Sequence, residues 1–199
     1  MGLVTLDQNE TTGRAILKVP NYSIKTIYWE YIENIIRERN PKMNYDPTII
    51  TYGLETMAFE GNYFPFFEDF HKNIVSQISN RDLEHFSEKN VKFLLLSILF
   101  QSNLYIPISE TENSKGYSDI YLQRRNNLYP GITTDWVLEI KYIKKADEEN
   151  QNVIEQKKQE AIEQLNRYKT SNLFKDRTDV RYLMVIFIGK KSYLVEEIN

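Results

Sequence analysis

Cysteine is absent from the 199 residues. That excludes disulfides and thiolate metal ligation, and it is compatible with a reducing cytosol. Histidine is scarce: His71 and His85 are the only two. Their separation matches no metal-ligand spacing, so both read as structural or surface residues. No apolar run approaches the roughly 18 residues of a membrane span, and the N-terminus lacks a signal-peptide pattern. A soluble cytoplasmic protein with no membrane partner is the expectation. A G-x-x-x-x-G-K-[ST] phosphate loop is also missing, which excludes ATP hydrolysis by that route. Basic character is sparse, with a formal net charge of −3. The one compact basic group is Lys141, Lys144 and Lys145, a weak candidate for nucleic-acid contact because paired surface lysines are more often simply solvated. An acidic enzyme can still act on nucleic acid where a bound cation offsets carboxylate charge locally.

What is present is ordinary for a globular protein: 41% hydrophobic and 27% charged residues. Fourteen tyrosines and ten phenylalanines favour strands and half-buried surfaces. The length suffices for one sizeable core, or a core with a smaller helical appendage.

Along the chain, residues 1–21 form a short strand-like lead ending at Pro20-Asn21. Ser23 reads as the cap of a helix running to Asn40, where Pro41 stops it. Asp46-Pro47 opens a second helix over 47–58, and a third is expected over 63–78. Residues 22–80 thus read as a helical section. Ser87 and Glu88 open a helix through Phe100 that is apolar nearly all round and should be deeply buried. Strand-like segments follow at 104–109, 116–124 and 134–142, then a polar helix over 147–170. Two strands close the order, at 180–188 and 192–198.

The chemistry-bearing stretch is Gly116 to Lys141. Asp119 lies in one expected strand, Glu139 and Lys141 two residues apart in the next. Alternation points Glu139 and Lys141 to one face and Ile140 to the other, into a core. A hairpin would set Asp119 beside Glu139. A magnesium or manganese ion prefers oxygen ligands and keeps several waters, so one or two carboxylates suffice. Asp119, Glu139 and the backbone carbonyl of Ile140 would hold Mg²⁺ or Mn²⁺, and Lys141 would serve the attacking water and offset charge on a phosphate. The plain alternative is a solvated strand face with a cross-strand salt bridge. Apolar Trp136, Val137 and Leu138 count against it, because they imply a buried strand in which charges need a partner or a metal.

With helix, three strands, helix and strand in that order, G-x-x-D on the second strand and E-x-K on the third, the chain resembles the PD-(D/E)XK nuclease superfamily. Gln164-x-x-x-Tyr168 in the following helix resembles the superfamily's Q-x-x-x-Y element, which implies a catalytic role for Gln164 and a supporting one for Tyr168. Glu88 sits where many members place a further acid near the metal, although an acid in a first helical turn also suits the helix dipole by itself. Ser118 stands where the naming proline would be, and proline is not a ligand. The segments G-L-V-T-L-D and L-K-V-P-N-Y-S-I resemble the end of an AAA-ATPase-like domain, as in bacterial proteins where such a nuclease-like domain follows one. The resemblance implies a C-terminal fragment or one half of a split system, with an AAA-ATPase-like domain as partner.

The expected fold is α/β: a restriction-endonuclease-like core of helix, three strands, helix and strands, its mixed sheet flanked by helices, with a helical N-terminal appendage. The expected division is 1–80 for the mainly helical segment and 81–199 for the nuclease-like domain. The expected function is metal-dependent hydrolysis of phosphodiesters in DNA or RNA; the alternative is a catalytically silent module of the same fold that binds nucleic acid or a protein. No feature of the sequence sets an oligomeric state.

Overall fold

The computed structural model describes residues 5–7, 16–18, 27, 47–80, 86–113 and 116–199. Two short strands, β1 (Thr5–Asp7) and β2 (Ile16–Lys18), pair antiparallel. The helix expected between Ser23 and Asn40 lies outside the described residues, apart from Ile27, which is helical.

A five-stranded sheet organises the remainder, in the order β3 (Tyr105–Asn113), β4 (Gly116–Arg124), β5 (Asp135–Ile143), β6 (Val180–Ile188) and β7 (Ser192–Glu197). β5 and β6 run parallel and the other three pairings are antiparallel. The parallel step needs a crossover, supplied by α4 (Gln151–Lys169). The expected α/β class with a mixed, mostly antiparallel sheet is the one observed.

Sequence explains the strand order. β5 is buried at every position and β6 at all but one, as strands covered on both faces must be. β7 has no fully buried position and takes an edge. Gly116, at φ +125°, opens β4 opposite Asn113, in a conformation that strains other residues.

Side-chain alternation splits the core in two. Trp136, Leu138, Ile140 and Tyr142 of β5 pack with α1 (Pro47–Phe59), α2 (Phe64–Asn73) and α3 (Glu88–Leu99). Val137 and Ile143 pack on the other side with Ile154, Ala161, Leu165 and Tyr168 of α4. Glu139 and Lys141 fall in this second register, so both belong to the α4 side.

Local chemistry fixes the helices around the sheet. Asn90 Oδ1 accepts from the Ser87 backbone N–H at 2.9 Å and its hydroxyl at 2.6 Å, which closes the entry to α3. α4 starts at Gln151 rather than 147, because residues 145–147 form a 3₁₀ turn and the Asn150 side chain caps the N–H groups of Asn152 and Val153. α2 stops at Asn73 rather than 78: Ile74 leaves helical geometry at φ −122°, ψ −67°, and both Ile74 and the next residue, Val75, are buried. α1 and α2 meet closely, since a Cβ on Gly53 would stand 2.7 Å from Phe66 Cα. Arg181 on β6 stacks over Trp136 at 4.3 Å and donates to the Gly61 carbonyl at 2.9 Å, tying the α1–α2 turn to the sheet.

One end of the sheet is locked by a buried polar clasp. Asp135 accepts from the Arg124 backbone N–H at 3.0 Å, Tyr121 at 2.5 Å and Arg177 at 2.6 Å. Arg177 also forks onto Asp179 with two bonds of 2.9 Å. β4, β5 and the approach to β6 are thereby pinned at one end, and the opposite half of β4 and β5 carries the charged residues.

Candidate active site

The site lies where β4 and β5 part. β4 stays paired with β3 to its first residue, but its ladder with β5 covers only Ile120↔Leu138, Tyr121↔Val137 and Leu122↔Trp136. Beyond Ile120, side chains replace the missing strand. Asp119 Oδ2 accepts from the Ile140 backbone N–H at 2.9 Å, and the Tyr142 N–H lies near enough to the Glu88 carboxylate to favour its charged form slightly. N–H and C=O of a strand residue point the same way, so the Ile140 carbonyl also opens on this gap. Buried backbone groups need partners, and the Asp119 carboxylate supplies one here.

Asp119, Glu139 and Lys141 come together as expected. Lys141 Nζ donates to Glu139 Oε1 at 2.7 Å, with side chains 9% and 2% exposed. Glu139 Oε2 is buried with no partner at hydrogen-bonding geometry. Burial, and then the charge of Asp119, push the Glu139 carboxyl up from 4.5 to about 7, against the opposing pull of Lys141. Burial acts to lower Lys141, yet the charge and hydrogen bond of Glu139, with Glu88 and Asp119, hold it above its ordinary value. Lys141 is therefore a charged ammonium at neutral pH. Glu88 is raised chiefly by burial; Lys141 and Lys157 pull it down and Asp119 pushes it up. It thus shares the electrostatics of the cluster.

From α4, the Tyr168 hydroxyl comes close enough to the Glu139 carboxylate to favour its ionised form. Burial and the Glu139 charge raise the phenol well above its ordinary range, so it stays a donor. One turn earlier, Gln164 Oε1 is buried without a partner. Lys157, paired with Glu160 at 2.6 Å, borders the same cluster. Lys144 and Lys145 lie past the end of β5 and are exposed. His85 and the side chains of Glu110 and Glu112 lie outside the described residues.

The residues fit a hard divalent cation. They offer two carboxylates from adjacent strands, an unpartnered buried carboxylate oxygen and a backbone carbonyl facing the same gap. Among the described residues no group of three or more His, Cys, Asp or Glu is assembled for a metal, so water would complete the shell, as magnesium prefers.

Lys92 escaped the sequence reading. Its ammonium donates to Asp119 Oδ1 at 3.1 Å, the two side chains being 14% and 18% exposed. The available signal was its position one turn beyond Glu88. The Asp135–Arg177 clasp was missed as well, since residues so far apart in sequence announce no pairing.

Residues 86–197 match the family described as the PD-(D/E)XK nuclease superfamily. A search of curated proteins gives no match. Among the described residues, no helix is long and apolar enough to cross a membrane.

Proposed function

The chain belongs to the PD-(D/E)XK nuclease superfamily, and from that premise we propose that it is a divalent-cation-dependent phosphodiesterase acting on nucleic acid. The observation that carries this reading is the juxtaposition of Asp119 with a nearly inaccessible Glu139–Lys141 pair that leaves Glu139 Oε2 unpartnered. A carboxylate raised toward neutrality first by burial and then by a second carboxylate is costly to maintain unless a cation or a reaction uses it.

Mg²⁺ or Mn²⁺ held by Asp119, Glu139 and the Ile140 carbonyl would supply Lewis acidity and an activated water. The chain's own groups do the rest. Lys141, kept protonated by Glu139, stabilises negative charge developing on the phosphate. Tyr168 favours the ionised Glu139 carboxylate, Gln164, one turn earlier on α4 with a buried unpartnered oxygen, is proposed to support the site, and Glu88 stands by as a further acid. Lys144 and Lys145, exposed beyond β5, are the weaker candidates for contact with a phosphate backbone. Linkage to an AAA-ATPase-like region and a cytoplasmic setting complete the proposal; the sequence of residues 1–21 supports the former, and a chain without cysteine is compatible with the latter.

The test is cleavage of end-labelled single- and double-stranded DNA and RNA, with Mg²⁺, Mn²⁺ or chelator. Wild type is expected to cut at least one of them only with metal, and Asp119→Asn and Lys141→Met to lose at least about a hundredfold in rate, the scale of removing one preorganised charge. Tight, metal-independent binding without cleavage by well-folded wild type would instead support a silent nucleic-acid-binding module.

A further inference from the structure

We propose that Lys92 is a built-in counter-ion of the metal-free site: its ammonium holds Asp119 in the ligating position and must yield that carboxylate when a divalent cation binds. The inference rests on the metal-site reading above and adds a residue that the superfamily motif does not include.

Lys92 reaches Asp119 across 27 positions of sequence, from α3 to β4. It meets the carboxylate on Oδ1, while Oδ2 is fixed by the Ile140 N–H. Both side chains are mostly covered, so the contact is not a loose surface pair. Without a cation, Asp119 lies near Glu139 and Glu88, whose carboxyls its charge raises. Lys141 is bonded to Glu139, and Lys92 supplies the matching positive charge for Asp119. A lysine suits that task better than arginine. It is a compact point charge that meets Asp119 through one oxygen, whereas a guanidinium would fork onto both oxygens and be harder to displace. A divalent cation on Asp119 would stand within a few ångströms of this ammonium, and like charges at such range repel strongly. Ion and ammonium therefore compete, and by linkage each weakens the other's hold. Lys92 acts through Asp119, as a positioning residue that also sets the threshold for metal uptake.

The test is calorimetric titration of Mn²⁺ alone into wild type, Lys92→Met, Lys92→Arg and Asp119→Ala. Lys92→Met is expected to bind Mn²⁺ about tenfold tighter than wild type, while its metal-free form melts at a lower temperature. Lys92→Arg, which keeps the charge, should bind no tighter than wild type. A purely structural lysine would lower the melting temperature without raising metal affinity. Unchanged or weaker affinity in Lys92→Met, with binding still abolished by Asp119→Ala, overturns the counter-ion and leaves the metal site standing. Absence of Mn²⁺ binding in both wild type and Lys92→Met overturns both. Should Lys92→Met fail to fold, wild type carries the test through NMR of lysine ammonium groups. The Lys92 signal should lose its ion-pair protection from exchange when Mg²⁺ is added; a signal indifferent to Mg²⁺ overturns the proposal.

Discussion

Replacing Glu139 with glutamine separates the electrostatic cost of the site from its packing. In the metal-free fold the Glu139 carboxyl is raised from 4.5 to about 7, first by burial and then by Asp119. Each pH unit of difference between folded and unfolded states is worth about 1.4 kcal/mol, so the full effect is about 3 kcal/mol. Its sign follows from proton counting. Between 4.5 and 7 the folded state holds the proton more tightly than the unfolded chain, so the stabilisation is fully present below 4.5 and is lost as pH rises through about 7. Lys141 stays protonated across this window in either state, because its folded value is raised from 10.5. Losing its Glu139 partner therefore shifts the stability of the variant without tilting it with pH. Urea denaturation in chelator, at intervals from pH 4.5 to 8.5, gives the comparison. Wild type should lose about 3 kcal/mol relative to Glu139→Gln across the range, with the midpoint of the change between pH 5 and 7. Other titrating groups, His71 among them, cancel in the difference. Parallel curves would refute the reasoning, since they would mean that Glu139 titrates alike in folded and unfolded chains.

Tyr168→Phe removes the hydroxyl that favours the ionised carboxylate, so the Glu139 midpoint should move upward, as read by carboxyl ¹³C NMR in the metal-free protein; a downward move would contradict the assigned contact. Arg177→Met removes one of the two guanidinium groups beside buried Asp135, leaving Arg124 Nε at 3.7 Å, and should cost about 1–3 kcal/mol in urea denaturation, the range for taking one partner from a buried acceptor. A loss below about 1 kcal/mol would show the clasp to be ornamental. Asn150→Ala removes the α4 cap and should cost about 1 kcal/mol, with amide exchange quickened at Asn152 and Val153 before the rest of the helix.

Much of the sheet was legible because its signals are local. The run Trp136 to Ile143 is apolar except at Glu139 and Lys141, and that alternation told both the burial of β5 and the shared face of the two charged residues. The nearly all-apolar α3 announced its burial in the same way. The hairpin placing Asp119 against β5 followed from turn residues, but the parting of the strands beyond Ile120 did not. It arises because the Asp119 carboxylate satisfies a β5 backbone N–H that a continued ladder would have taken. The end of α2 was hidden for a related reason: helical spacing continues past Asn73, while the burial of both Ile74 and Val75 is decided by what packs against them. Lys92, Asp135 and Arg177 were illegible because charged residues in isolation look alike. Only the fold brings Lys92 to Asp119 and Arg177 to Asp135.

Mn²⁺ binding followed by electron paramagnetic resonance tests the central claim most directly, because free ion gives the sharp signal and bound ion does not. Titrated into wild type at pH 7.5, with a short nuclease-resistant oligonucleotide present and absent, Mn²⁺ should lose its free signal saturably. Asp119→Ala and Glu139→Ala, each confirmed as folded, should leave that signal intact. A wild type that takes up no Mn²⁺ under either condition, or variants that take it up as well as wild type, would contradict the assignment of these two carboxylates as a metal site.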